Sequence, residues 1–272
     1  MKLIKFIPAF IALTCTVNAH AGFFSSSDDF KCGREDALKS LSDYFRSDVS
    51  GLLQSDYITK NKYNYDKPVA DYQNKINSLV VSVSNVSTSG NGSYGLNCSA
   101  TISVKVPQET LDVVSSDPNY LHSITGDYGK LNNGSVVWSD VSYSAKLADN
   151  GKDVIFSHFN RTDLSGALFN ISVLSVNKSQ IINALAMGNL SSANAEYKYA
   201  DHNLNSVWRE LPDSSRNALK KEQLVWVNEK VAKCGKLPDA ESNKVDIKHR
   251  IEIYQCQTKM TNDRIAFLSG DK

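Results

Sequence analysis

The sequence predicts an α+β fold. An N-terminal antiparallel sheet of about five strands carries a packing helix, and a small disulfide-stapled all-helical domain follows. Three observations lead to this. Between about Ile76 and Val176, apolar residues mostly alternate with polar ones, serine above all, the period of half-buried strands, and Asn-Gly steps break the runs. Before and after that stretch, apolar residues recur three or four apart, the period of amphipathic helices. Four of the five cysteines lie beyond a leader-like start and divide two and two between the regions.

The first residues read as an address. Lys2 and Lys5 form a basic start, Phe6 to Val17 is mostly apolar, and Ala19-His20-Ala21 supplies small residues two apart. This is the three-part pattern of a secretory signal peptide, and its apolar run is too short to span a membrane. Cleavage is expected after Ala21. The residues before Cys15, Ala12-Leu13-Thr14, match a lipidation site poorly. Loss of Lys2 and Lys5 takes the formal charge from +1 to −1, and loss of Cys15 leaves Cys32, Cys98, Cys234 and Cys256. No later stretch is long and apolar enough to anchor the chain, so the mature product is expected in the periplasm.

Residues 22–31 read as a flexible lead into an α+β domain over 32–178. From Arg34, Leu38, Leu41, Phe45, Val49 and Leu52 mark one helix face. The tyrosine-rich stretch with Tyr57, Tyr63, Tyr65 and Tyr72 is either a recognition surface or a loop packed on the sheet. Strands are expected at Leu79–Val83, Leu96–Val106, Val137–Ala145, Val154–Phe159 and Ala167–Val176, with a short helix from Pro107 to Ser116. Residues 179–195 read as a short helix, Gln180 to Met187, and a linker. The helical domain is expected over 196–269. Leu204, Val207, Trp208 and Leu211 form one cluster, Leu219, Trp226 and Val227 the next, and Val245, Ile251, Tyr254, Thr258, Ile265 and Leu268 the last.

Spacing alone does not choose among three cysteine connectivities, but the domain division favours Cys32–Cys98 and Cys234–Cys256. An exported chain with an even cysteine count reads as disulfide-bonded. Closing loops of 66 and 22 positions is worth about 3–4.5 kcal/mol each on the loop-entropy model. A zinc site would need close Cys or His spacing, and none is present.

The 272 residues are 41% apolar and 22% charged, with 30 basic against 29 acidic groups. That balance argues against nucleic acid as the main partner. Gly90-x-Gly92-x-x-Gly95 matches a dinucleotide-binding pattern by letter, but strand alternation follows it where a helix is needed, so it reads as a hairpin turn. His122, His158, His202 and His249 show no metal-ligand spacing, and no Gly-x-Ser-x-Gly elbow occurs. No catalytic, metal or cofactor residue is assigned, and no cofactor is expected.

Three segments of the helical domain carry a resemblance. They are Asp201-His202-x-Leu204-Asn205-x-x-Trp208, then Leu219-x-x-x-Gln223-x-x-Trp226-x-x-x-Lys230-x-x-x-Cys234, then Cys256-x-x-x-Met260-Thr261-x-x-Arg264-x-x-x-Leu268. Together they resemble the LprI-like domain family, small helical modules of secreted bacterial proteins associated with lysozyme inhibition. Leu, Trp and Met at helical spacing would form the bundle core, and Asn205, Gln223 and Thr261 would bond across helices. Lys230-Val231 stands where the family usually has an Arg-Asp pair, so any ion pair made there is altered.

The resemblance implies an exported, non-enzymatic binding protein that inhibits a lysozyme or another peptidoglycan hydrolase by protein–protein contact. The loop Gly235–Pro238 with Lys236 is one candidate binding element, and the hairpin tips near Asn91 and Asn133 are others. A periplasmic immunity protein against a delivered toxin, an envelope assembly or structural protein, and a wall-degrading enzyme are the competing readings.

Overall fold

The computed structural model describes residues 30–59 and 65–270. The expected leader and its cleavage site, most of the lead, and Tyr63 lie outside the described residues.

The first domain is built on a five-stranded antiparallel sheet: β1 (Val81–Gly92), β2 (Gly95–Lys105), β3 (Lys130–Asn132), β4 (Ser135–Leu147) and β5 (Val154–Ser157). The order is β1-β2-β4-β3, and β5 pairs with the far end of β4. One face is apolar. Cys98, Ala100, Ile102 and Val104 of β2 and Val136, Trp138, Val141, Tyr143 and Ala145 of β4 are all buried. The apolar residues stay on one face because each register shift, at Ser84/Ser87 and Thr88/Gly90 in β1 and opposite Thr101 in β4, adds one residue at which the alternation resets.

Helices cover that apolar face. α1 (Glu35–Thr59) turns Ala37, Leu41, Phe45, Val49 and Leu53 inward. Leu52, expected on the same stripe, is exposed, because Leu53 completes the four-residue step from Val49. α2 (Val69–Ser78), α3 (Gln108–Ser116), α4 (Tyr120–Thr125) and α5 (Leu164–Val176) complete the layer, and α5 touches each of the other four. Phe30, placed by the sequence in the lead, is buried. Cys32 and Cys98 are disulfide-bonded with Cα atoms 5.8 Å apart, tying the start of α1 to β2.

Two expectations are corrected here. Ala167–Val176 is not a strand but most of α5. Its buried Leu164, Ala167, Leu168, Ile171, Leu174 and Ser175 sit at helical spacing, and buried Ser165 and Ser172 give it a second inward face. A short run that is apolar all round has no period to read. The fifth strand is instead β3, three exposed residues that carry no alternation signal. Second, residues 188–195 do not form a linker. They are the middle of α6 (Lys178–Glu210), a single helix of 33 residues, about 50 Å long at 1.5 Å per residue. Gly188 weakens a helix locally but does not stop one whose flanks are packed at both ends.

α6 leaves the first domain at Asn177, whose side-chain oxygen accepts a hydrogen bond of 2.6 Å from the buried Tyr72 hydroxyl. Lys178 pairs with Asp112 of α3. Two separate apolar cores result, one under the sheet and one along the middle of α6. Among the described residues no helix is long and apolar enough to cross a membrane.

Leu168, fully buried in α5, should be among the most costly truncations in the chain. Leu168→Ala is expected to lower stability by about 2–5 kcal/mol, read as a shift of the urea midpoint. A change below about 0.5 kcal/mol would place α5 outside the core.

Candidate functional site

The second helical unit consists of α6, α7 (Asp213–Cys234), α8 (Leu237–Glu241) and α9 (Ile247–Ser269). Its apolar core is small: Leu190 and Ala193 of α6, Ala240 of α8, and Ile253 and Tyr254 of α9, with Tyr197, Leu237, Ile247 and Ile251 against them. α7 contributes nothing to it. The only buried residues of α7 are Lys230 and Cys234. Leu224 is 61% exposed, and Val225, Val227 and Val231 are exposed as well, so Val227 does not take the core place expected of it.

What holds α7 is a covalent bond and a polar layer. Cys234 is bonded to Cys256 of α9, with Cα atoms 5.4 Å apart. Higher on the same seam, Arg264 donates from Nε to Gln223 Oε1 (2.7 Å) and from Nη1 to Glu222 Oε1 (2.6 Å). Lys230 donates to Thr261 Oγ1 (3.3 Å), and that hydroxyl donates to the Gln257 carbonyl one turn back (2.7 Å). Trp226 lies between the two cations, with Lys230 Nζ 5.0 Å and the Arg264 guanidinium 5.8 Å from its ring. Tyr197 of α6 presents its ring to Lys230 from the other side, at 5.5 Å. Two buried atoms of this layer, Gln257 Oε1 and Arg264 Nη2, have no partner among the described residues.

The electrostatics follow from burial. Lys230 is 6% exposed, and burial pushes its pKa below the ordinary lysine value, with Asp201 acting in the opposite sense. Burial raises the Tyr197 pKa to about 12, helped by Asp201, whose carboxylate accepts from its hydroxyl. Asp201 thus faces both groups from α6.

Of the sequence pattern, Gln223, Trp226, Lys230, Thr261 and Arg264 meet at this seam. Leu204 and Leu268 are buried, and Trp208, Leu219 and Trp226 are half-buried. Gln223 and Thr261 bond across helices as expected. Asn205 does not: its amide donates to Asp201 within α6 (3.2 Å). Sequence reasoning missed the burial of Lys230 and the part played by Glu222. The signal for Lys230 was present, since Trp226, Lys230 and Cys234 stand four apart on one helix face.

Lys236 lies two residues past the disulfide, at the N-cap of α8, and is exposed. The loop around it is tightly held. Gly235 takes φ +93°, and a side chain there would also press on Ile253 Cγ1 at 3.1 Å. The Gly235 carbonyl accepts from Gln257 Nε2 (2.8 Å). The Lys236 carbonyl accepts from the amides of Asp239 and Ala240. Ala240 is fully buried, and its own carbonyl accepts from Arg250 Nε (2.8 Å).

Elsewhere, Gly90, Gly92 and Gly95 lie in the β1–β2 hairpin, where Gly90 and Gly95 take positive φ and no helix follows. Asn91 is exposed near the end of β1, and Asn133 is exposed at the β3–β4 turn. Of the tyrosine cluster, Tyr72 is buried and Tyr65 packs edge-on to both Tyr57 and Tyr72, with its hydroxyl on Asp56 (2.6 Å). These three rings pack on one another. Cys32 and Cys98 lie far along the chain from the seam, and His202 is exposed beside it.

Residues 179–268 match the family model described as Lysozyme inhibitor LprI. The match runs from the second residue of α6 into the last turn of α9, so it takes in the whole of the segment first read as a linker. The first domain lies outside it. No curated protein and no solved structure matches the chain.

The buried lysine gives a pH-dependent test. Its folded pKa lies below the unfolded value, so between the two the unfolded chain binds more protons and stability rises with pH. Tyr197 acts oppositely above pH 10: the unfolded tyrosine ionises first, and stability falls towards about pH 12. Lys230→Met keeps the packed stem and removes the charge. It is expected to leave stability at pH 7 equal or higher, to abolish the rise below pH 10 and to keep the fall above it. Lys230→Ala is expected to cost about 0.5–3 kcal/mol. Equal losses in the two variants, measured by urea unfolding across pH, would contradict this.

Proposed function

We propose that the protein is an exported inhibitor of a lysozyme or a related peptidoglycan hydrolase. It would act in the periplasm, after cleavage of the leader at Ala21, by direct protein–protein contact. The observation that carries this reading is the match of residues 179–268 to the lysozyme-inhibitor family. The binding element in this reading is the Lys236 loop. Glycoside hydrolases of the lysozyme type work with a pair of carboxylates in an open cleft. An exposed lysine on a loop already fixed by the disulfide, Gln257 and Arg250 loses little conformational entropy on docking into such a cleft. Its ammonium would make charge-assisted hydrogen bonds to those carboxylates. The chain as a whole is nearly neutral, so this attraction is local to the loop.

Lys236→Glu is expected to weaken inhibition of a susceptible lysozyme by at least about ten-fold, equivalent to about 1.4 kcal/mol, with an unchanged melting temperature. Lys236→Arg is expected to retain most of it. Inhibition by Lys236→Glu equal to that of the wild type would remove this loop from the contact. A wild-type protein that leaves every lysozyme tested active at large excess would overturn the inhibitor reading.

A further inference from the structure

The sheet of the first domain has a second face that no helix among the described residues covers. Its outward-pointing residues are mostly hydroxyls in cross-strand rows. Ser82 pairs with Ser103, Ser84 with Thr101, Ser87 with Ser99, which pairs in turn with Ser142, and Asn97 with Ser144, which pairs in turn with Ser157. The Ser87 and Ser99 hydroxyls lie 2.8 Å apart, and Asn85 donates to Thr101 Oγ1 (3.3 Å). A polar sheet face facing water is ordinary in antiparallel proteins. Three further features are not.

First, the face carries a built aromatic platform. Tyr94, at the β1–β2 turn, is 60% exposed, and its ring stacks on His158, just past β5, with centroids 3.9 Å apart. β4 runs between the two, and the outward-facing Ser144 of β4 is only 7% exposed, as expected beneath the stacked pair. His158 takes one side of the tyrosine ring, and the residue's exposure leaves room for a second group to stack on it.

Second, the backbone along this face departs from regular strand geometry. Of the four non-glycine residues with positive φ among the described residues, three border it: Asn85 (51°) and Asp140 (54°) in bulges on either side of Thr101, and His158 (57°) under Tyr94. Bulges and positive-φ residues of this kind re-aim side chains and gather at functional surfaces.

Third, the face has a sign. The five strands contain three lysines, Lys105, Lys130 and Lys146, all pointing outward, and a single carboxylate, Asp140.

From these we infer that the open sheet face binds a carboxylate-bearing glycan strand, with a sugar ring stacked on Tyr94. A pyranose offers an apolar C–H face to an aromatic ring and a rim of hydroxyls to serine, threonine and asparagine. Carboxylates along the strand answer the three lysines. The choice of polymer, the peptide-bearing glycan of the cell wall, rests on the inhibitor reading of the helical unit. The first domain would then hold the protein on the same polymer that the hydrolase cuts, with α6 carrying the inhibitory unit away from it.

Co-sedimentation of the full-length mature protein with isolated peptidoglycan sacculi tests this. The wild type is expected in the pellet at low salt, with release as salt screens the lysines. Tyr94→Ala is expected to bind at least ten-fold more weakly, and Tyr94→Trp to retain binding. Inhibition of lysozyme on a soluble oligosaccharide should be the same in all three. A wild type that stays in the supernatant, or a Tyr94→Ala variant that pellets equally well, would overturn the inference. Equal pelleting with uncharged cellulose would overturn the carboxylate-bearing polymer. Sedimentation that depends on Tyr94 without any lysozyme inhibition would support the glycan face while removing the inhibitor reading.

Discussion

The bond between Cys234 and Cys256 is what makes α7 part of the helical unit. A helix normally docks by burying an apolar stripe, and α7 buries none. Its inward residues are a lysine, a cysteine and half-buried Trp226, while Leu224 and three valines face outward. The polar contacts across the seam are each worth about 1 kcal/mol net, and a little more where a charge takes part. Glu222 is half exposed, which weakens its pairing with Arg264 further. A cross-link closing a 22-residue loop contributes about 3 kcal/mol, more than any one of these contacts. The disulfide therefore sets where α7 ends, and with it where Lys236 sits.

α6 imposes a second constraint. It begins against Tyr72 and Asp112 in the first domain, and its middle turns form one wall of the second core. A continuous helix bends far less readily than a Gly/Ser-containing coil of the same length. The two units are thus held at a spacing set by helix rise, with the sheet on one and the Lys236 loop on the other.

Much of this was legible in the sequence, for identifiable reasons. The α+β class, both disulfide pairings, the β1–β2 hairpin and α1 followed from period, turn chemistry and even cysteine count, signals that tertiary packing does not alter. α5 was not legible, because a segment buried on more than one side loses the contrast that marks a helix. α6 was read as broken at Gly188 because propensity is local, whereas its continuity comes from packing at both ends. The seam was half legible. Gln223, Trp226, Thr261 and Arg264 stood out by pattern, but Lys230 was read as a departure from a family pair, not as a buried cation, since charge in a sequence ordinarily means surface. The open sheet face escaped notice because alternating serines look the same whether they face solvent or a ligand. The stacking of Tyr94 on His158 joins two residues 64 positions apart, so neither residue signals it alone.

Amide hydrogen exchange in the Cys234→Ala/Cys256→Ala variant tests the central claim most directly, because it reads each helix separately. The expected result is a loss of protection across α7, residues 213–234, and around Lys236, while β2 and β4 keep the protection they have in the wild type. Unchanged protection in α7 would contradict the account, since it would mean that the polar layer alone holds the helix in place.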